Sequence, residues 1–373
     1  MKAAVLESLK NIKVKEIETP ECREGEVLLE LKACGICRTD MKCFTRGQRD
    51  LKMPRILGHE ITGTVARVET VGKKEKAEKA EKTKNGTYGL GGLSKSKELE
   101  KIKTGDRLQV SPGITCGECD YCLQGRDNLC NHLRIMGFNY NGGFAQYLLV
   151  PARGVENGVL NKIPPHLSFK EASMTEPLAC CINMQESLQI EPGNTVLIFG
   201  GGRLGILNAK LARTKGAEKI ILIEPKEKRF LGAKEAEEFD YYINPLKTDA
   251  LREVMRITKH KGADVVIPCC PDPEAFNSGL QMAAKRGSLG YFSGINPADN
   301  STQIDINLIH YKEIYVSGGY GCSINHNKTA LELLASGTIK VKDMLGRTIG
   351  LDEIEKGLHM VENMTELSVT VLY

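Results

Sequence analysis

Between Thr115 and Cys130 the chain reads TCGECDYCLQGRDNLC, which sets Cys116, Cys119, Cys122 and Cys130 at C-x2-C-x2-C-x7-C spacing. Gly and Asp between the thiols supply the turns. Four thiolates around one Zn2+ make a tetrahedral, coordinatively closed site with no position left for substrate. An iron–sulfur cluster is the rival reading, but the ferredoxin run C-x2-C-x2-C-x3-C-P has a shorter last gap and a closing Pro. The stretch is therefore expected to hold a structural zinc, and chemistry on a substrate must lie elsewhere.

A second constellation is TVLIFGGGRLGILNAKLA, with Gly200, Gly202 and Gly205 in GxGxxG spacing. Alone the motif is weak. Here it follows an apolar run and opens a helical pattern, the context of a dinucleotide fingerprint. Gly200 allows the tight turn, Gly202 the approach of a pyrophosphate, and Gly205 close helix–strand packing, while the helix N-terminus offers free N–H groups to the phosphates. Arg203 and Leu204 lie inside this turn, and Arg203 could add a phosphate contact. Glu224, about 20 residues on, stands where a carboxylate takes the ribose hydroxyls. It favours NAD over NADP, with Lys226, Lys228 and Arg229 as neighbouring cations that oppose the choice.

Cys37, in ACGICRTDMK, and His59 followed by Glu60, in PRILGHEITG, complete the candidates. A lone Cys usually fills core and a lone His is usually a satisfied hydrogen-bonding residue. Their company raises them, because an alcohol oxidation beside a nicotinamide fold needs one open Zn2+ with three protein ligands. The other histidines, His132, His166, His260, His310, His326 and His359, show no ligand spacing.

The elements that must position these residues fall into two grammars. Up to about Val150 short strands with period-2 alternation and frequent Gly and Pro predict a β domain of barrel or sandwich type. SFKEASMTEPLACCINMQESL predicts a helical connector, with Ser168 and Glu171 as a capping box. From Thr195 apolar runs alternate with amphipathic helices, a βαβ series that builds a parallel doubly wound sheet. The terminal LSVTVLY has no place in that series and is expected to return to the first domain.

Composition restricts the partners. The 373 residues carry a net charge of +4, yet ten Lys against five Glu lie between Thr70 and Lys103, so the rest is near neutral. No basic face for nucleic acid is implied outside that Lys/Glu-rich stretch, which reads as a solvated, mobile loop insertion. No apolar run approaches the roughly 18 residues of a membrane span, and the start shows no secretory pattern, so a cytoplasmic location is expected. Thirteen cysteines without such a signal point to metal rather than disulfides.

GICRTD, ILGHEITGTV, GDRLQVSPGITCGECDYCLQGRDNLC, GGFAQYLLVP, EPLACC and the glycine fingerprint, in this order, resemble the zinc-dependent medium-chain alcohol dehydrogenases. EPLA and HYKEIYVSGGYG are most similar to the polyol, threonine and secondary-alcohol branch. The resemblance spans the chain except near 73–100. It implies an α/β protein, with a GroES-like β domain over 1–180 and 325–373 and a Rossmann doubly wound parallel-sheet domain over 181–324. The zinc lobe would occupy about 112–132 and the charged insertion about 72–102 of the first domain.

The resemblance also implies roles. Cys37, His59 and Glu176 would be catalytic zinc ligands, with Glu60 the carboxylate that ligates or exchanges with water. Thr39 would hydrogen-bond the substrate oxygen, Asp40 would orient the His ligand, and Arg38 would touch the pyrophosphate. Lys42 departs from the pattern, since many relatives carry a proton-relaying His there. The implied function is hydride transfer between a nicotinamide cofactor and a small alcohol or polyol. Two Zn2+ per chain, one catalytic and one structural, would serve a homodimer or homotetramer without nucleic-acid or membrane partners. The alternatives are a zinc-ribbon nucleic-acid-binding protein on an inactive dehydrogenase fold and a zinc-free quinone reductase.

Overall fold

The segment VLLELKACG is buried at all but Glu30 and Lys32 and forms the strand Val27–Gly35, about which the first unit is built. It pairs antiparallel with Glu60–Val68, Tyr147–Val150 and the terminal Val369–Leu372. The sheet continues through Arg107–Val110 and Leu160–Lys162 on one side and Arg347–Ile349 on the other. A smaller sheet joins Asn11–Glu16, Lys2–Ser8 and Arg55–Ile56. Phe44, Phe144, Leu29, Leu31, Leu108 and Met136 fill the core. Full burial of a side chain of this size stabilises by roughly 1.5–3 kcal/mol, so the sheet is held mainly by what packs on it.

The computed structural model describes residues 1–69, 95–236, 238–295 and 303–373. Most of the Lys/Glu-rich insertion, 70–94, lies outside the described residues. Its end differs from the expected loop, because Lys95–Glu100 form a helix and Leu99 and Ile102 are buried in the first unit's core. Two apolar residues three apart are enough to dock one helical turn, and the surrounding lysines hid them.

The second unit is a six-stranded parallel sheet in the order Tyr241–Ile243, Lys219–Ile223, Thr195–Phe199, Ala263–Pro268, Ala283–Tyr291, Tyr315–Gly318. That is the doubly wound order, with the chain reversing direction across the sheet between Thr195–Phe199 and Ala263–Pro268. TVLIF is buried at every position because helices cover both faces.

The first unit comprises Met1–Glu176, Ser323–Ala335 and Leu345–Tyr373, and the second Pro177–Cys322 and Ser336–Met344. Ser336–Met344 thus departs from a first domain running unbroken over 325–373. Within the second unit, buried Lys210 pairs with Glu238 at 2.8 Å and with Asp343 of this segment at 2.9 Å.

Candidate active site and metal centres

The helix Arg38–Arg46 starts immediately after Cys37, and Asp40 occupies its third position. The fully buried Asp40 carboxylate accepts the Cys37 N–H at 2.8 Å and the Gly58 N–H at 3.1 Å. One side chain therefore fastens the two segments that carry Cys37 and His59. His59 Nδ1 stands 3.2 Å from Asp40 Oδ1, without the geometry of a full hydrogen bond. Burial works to lower the His59 pKa, but Asp40 and Cys37 outweigh it and hold the imidazole well above its ordinary value.

Glu60 opens the strand Glu60–Val68 directly opposite Gly35 in the ladder, and is fully buried. A Cβ at Gly35 would overlap the Glu60 carboxylate where it now lies, so the carboxylate would have to shift. Ligand atoms of Cys37, His59 and Glu60 all lie within 4.8 Å of one another. A thiol, an imidazole and a carboxylate gathered in this way match the donors zinc prefers. Glu176 is outside that group, at the second position of the helix Thr175–Leu188. Thr39 Oγ1 is 3.6 Å from Cys37 Sγ, and Arg38 is exposed. Lys42 is half-buried on the same helix, and burial, with Arg38 second, lowers its pKa below that of an ordinary lysine.

In the lobe, Sγ–Sγ separations are 3.8 Å for Cys116–Cys122, 3.6 Å for Cys119–Cys122 and 3.5 Å for Cys116–Cys130. A zinc tetrahedron with Zn–S near 2.3 Å has edges of about 3.8 Å, so the four thiols already have the size of the cage. Backbone N–H groups of Cys119 and His132 each donate to a lobe sulfur at 3.3 Å. Donation from the Cys122 backbone brings Cys119 down to about 6, whereas burial pushes Cys122 up to about 12. A divalent cation would draw out the remaining protons. The two-stranded ladder of Gly113–Ile114 and Arg134–Ile135 closes the lobe's base.

In the second unit, Gly200 follows Phe199 with φ +101°, and a Cβ at Gly205 would collide with the Gly200 carbonyl. Gly202 caps the helix Arg203–Thr214, with Arg203 and Leu204 half-buried in its first turn. Buried Glu224 accepts the Gly201 N–H on Oε2 and the Lys226 N–H on Oε1, both at 2.8 Å, and is thereby fixed beside the turn. Arg229 lies over Gly202, whose Cβ position would stand 3.3 Å from its guanidinium.

Sequence reasoning missed Gly35, and also the Gly58 N–H bond to Asp40. The signal for the first was the glycine two residues before Cys37. Its meaning depends on a strand register that no local pattern reveals.

The profile described as Alcohol dehydrogenase GroES-like domain matches residues 23–159, and that described as Zinc-binding dehydrogenase matches 204–336. L-threonine 3-dehydrogenase of Pyrococcus furiosus is 31% identical over 93% of this chain and 90% of its own length. Sorbitol dehydrogenase of Bacillus subtilis is 29% identical over 96% and 92%. Among solved structures, a protein described as a zinc-binding dehydrogenase from Sinorhizobium meliloti, bound to NADP, superposes with TM-score 0.83 at 30% identity, covering 100% of this chain and 99% of that one. No helix among the described residues is long and apolar enough to cross a membrane. Matches of this length and identity settle the family: the chain belongs to the zinc-dependent medium-chain alcohol dehydrogenases, an oxidoreductase family.

Proposed function

We propose that the protein oxidises a small alcohol or polyol with a nicotinamide cofactor, NAD in preference to NADP, using one catalytic and one structural Zn2+ per chain. The observation that carries this reading is the group of half-buried Cys37 with buried His59 and Glu60, fastened from behind by Asp40. Zinc held there would act as a Lewis acid toward an alcohol oxygen. Cys37, His59 and Glu60 would hold it, with Glu176 a further carboxylate for the same ion. Asp40 keeps the imidazole turned so that Nε2 is the free donor. The Thr39 hydroxyl, beside Cys37, takes the hydrogen bond of the alcohol and begins removal of its proton. Cys116, Cys119, Cys122 and Cys130 would hold the second ion, away from the chemistry.

In the second unit the Arg203–Thr214 helix N-terminus and Arg229 would take the pyrophosphate. Glu224 would accept the ribose hydroxyls and repel a 2′-phosphate. The relatives named for sorbitol and threonine point to a small polar substrate. The edge strand Tyr315–Gly318 exposes Tyr315 and Val316, which supports two-fold pairing into a dimer or tetramer. A light-scattering mass near the 41.0 kDa monomer would contradict the assembly. A screen of polyols and secondary alcohols with NAD and NADP, run beside a zinc count, tests the activity. Alcohol-dependent reduction of NAD with two zincs per chain supports it, and inertness of the zinc-loaded protein toward the whole panel contradicts it.

A further inference from the structure

Thirteen thiols are present, and most have an evident place. Four belong to the lobe and Cys37 to the candidate catalytic group. Cys22, Cys34, Cys43 and Cys181 are buried. Cys269 and Cys270 are adjacent in sequence, and burial pushes both thiols up. Cys180 and Cys322 remain. Both are half-buried, and their sulfurs lie within 4.8 Å of each other although 142 positions separate them in sequence.

The second unit holds these two thiols in register by other means. Asn183, on the same helix as Cys180, donates through Nδ2 to the carbonyls of Tyr320 at 3.2 Å and Gly321 at 2.9 Å. The two residues before Cys322 are thus tied to the turn that follows Cys180. Closing to an S–S bond of about 2.05 Å requires rotation of both side chains.

We propose that Cys180 and Cys322 are a redox modification site, joined as a disulfide by a peroxide. One thiolate sulfur attacks the peroxide, whose O–O bond breaks, giving a sulfenic acid and, after protonation, one water. The second thiol attacks the sulfenic sulfur, forming S–S and releasing the second water. Two thiols and one hydrogen peroxide give one disulfide and two waters, the two sulfurs supplying the electrons. The bond would clamp the helix that carries Glu176 one turn before Cys180. Only this consequence rests on the proposed function, and it predicts alcohol oxidation that falls with peroxide and returns with a thiol reductant.

The test is peptide mapping of the zinc-loaded full chain after hydrogen peroxide and rapid alkylation, without reduction. A linked peptide joining Cys180 to Cys322 is expected, reversed by dithiothreitol and absent from Cys180→Ser and from Cys322→Ser. Alkylation of both thiols at the untreated level would overturn the proposal, as would a link that persists through Cys181 in Cys180→Ser. Loss of one zinc equivalent in Cys322→Ser would also overturn it, by making the pair metal donors. If either variant fails to fold, fragment-ion assignment of the sulfurs in the wild-type linked peptide decides. The linkage readout requires no turnover, so its failure is distinct from failure of the enzymatic reading.

Discussion

Replacing Asp40 with Asn changes one atom in a fully buried side chain and should weaken one metal site selectively. The carboxylate accepts two backbone N–H groups, from Cys37 at 2.8 Å and Gly58 at 3.1 Å. Asn retains one acceptor oxygen and turns an amide donor toward the other N–H. Hydrogen bonds to a charged acceptor contribute about 1.5–3 kcal/mol each, so one lost bond loosens the Cys37 and His59 segments by that amount. Removing the charge facing His59 Nδ1 also makes the imidazole a weaker donor. Outer partners of this kind are worth about 10–100-fold in metal affinity, or about 1.4–2.7 kcal/mol, which agrees with the hydrogen-bond figure. Zinc competition against a coloured chelator should show two equivalents in the wild type. In Asp40→Asn one should be about 10–100-fold weaker and the other, in the four-thiol lobe, unchanged. Denaturant unfolding of the same samples checks that the fold survives. Wild-type affinity at both sites would refute the reasoning, because the two ligand segments would then not depend on their shared clamp.

Other substitutions probe the remaining parts. Gly35→Ala should displace the Glu60 carboxylate, costing about 1–3 kcal/mol as an overpacked core change and reducing turnover. A thermal midpoint and turnover equal to wild type would show that the strand yields without moving Glu60. Cys122→Ala should cost several kcal/mol in the lobe, since structural zinc in small domains is worth about 10–16 kcal/mol. Proteolysis confined to 112–132 would report it, and wild-type resistance would contradict it. Glu224→Ser removes a fixed charge whose repulsion of a phosphate is about 1–4 kcal/mol, so the NAD/NADP ratio of kcat/KM should fall at least about fivefold. An unchanged ratio would place the discrimination on Lys226, Lys228 or Arg229.

The parts legible in the sequence were those whose meaning is local. The lobe's spacing already implied a closed cage, and the glycine turn needed only a strand before it and a helix after it. The capping box at Ser168 is also present, with Glu171 bonding the Ser168 N–H at 3.0 Å. What could not be read depends on register or distant packing. Gly35 matters because it faces Glu60 across two strands. Asp40 matters because a loop near residue 58 reaches it. Leu99 and Ile102 were masked by surrounding charge, and Ser336–Met344 belongs to the second unit, where Asp343 pairs with the sequence-distant Lys210. The EPLA segment suggested Glu176 as the third zinc ligand, yet it stands outside the group formed by Cys37, His59 and Glu60.

The central claim is that Cys37 belongs to the zinc site where an alcohol is oxidised, while the lobe serves only the fold. The most direct measurement is alcohol-dependent reduction of nicotinamide by zinc-loaded wild type and Cys37→Ala, each with its zinc content. The account predicts turnover and two zincs in the wild type. The variant should be folded, keep the lobe zinc and show no measurable turnover. A Cys37→Ala protein that reduces the cofactor at the wild-type rate would contradict it.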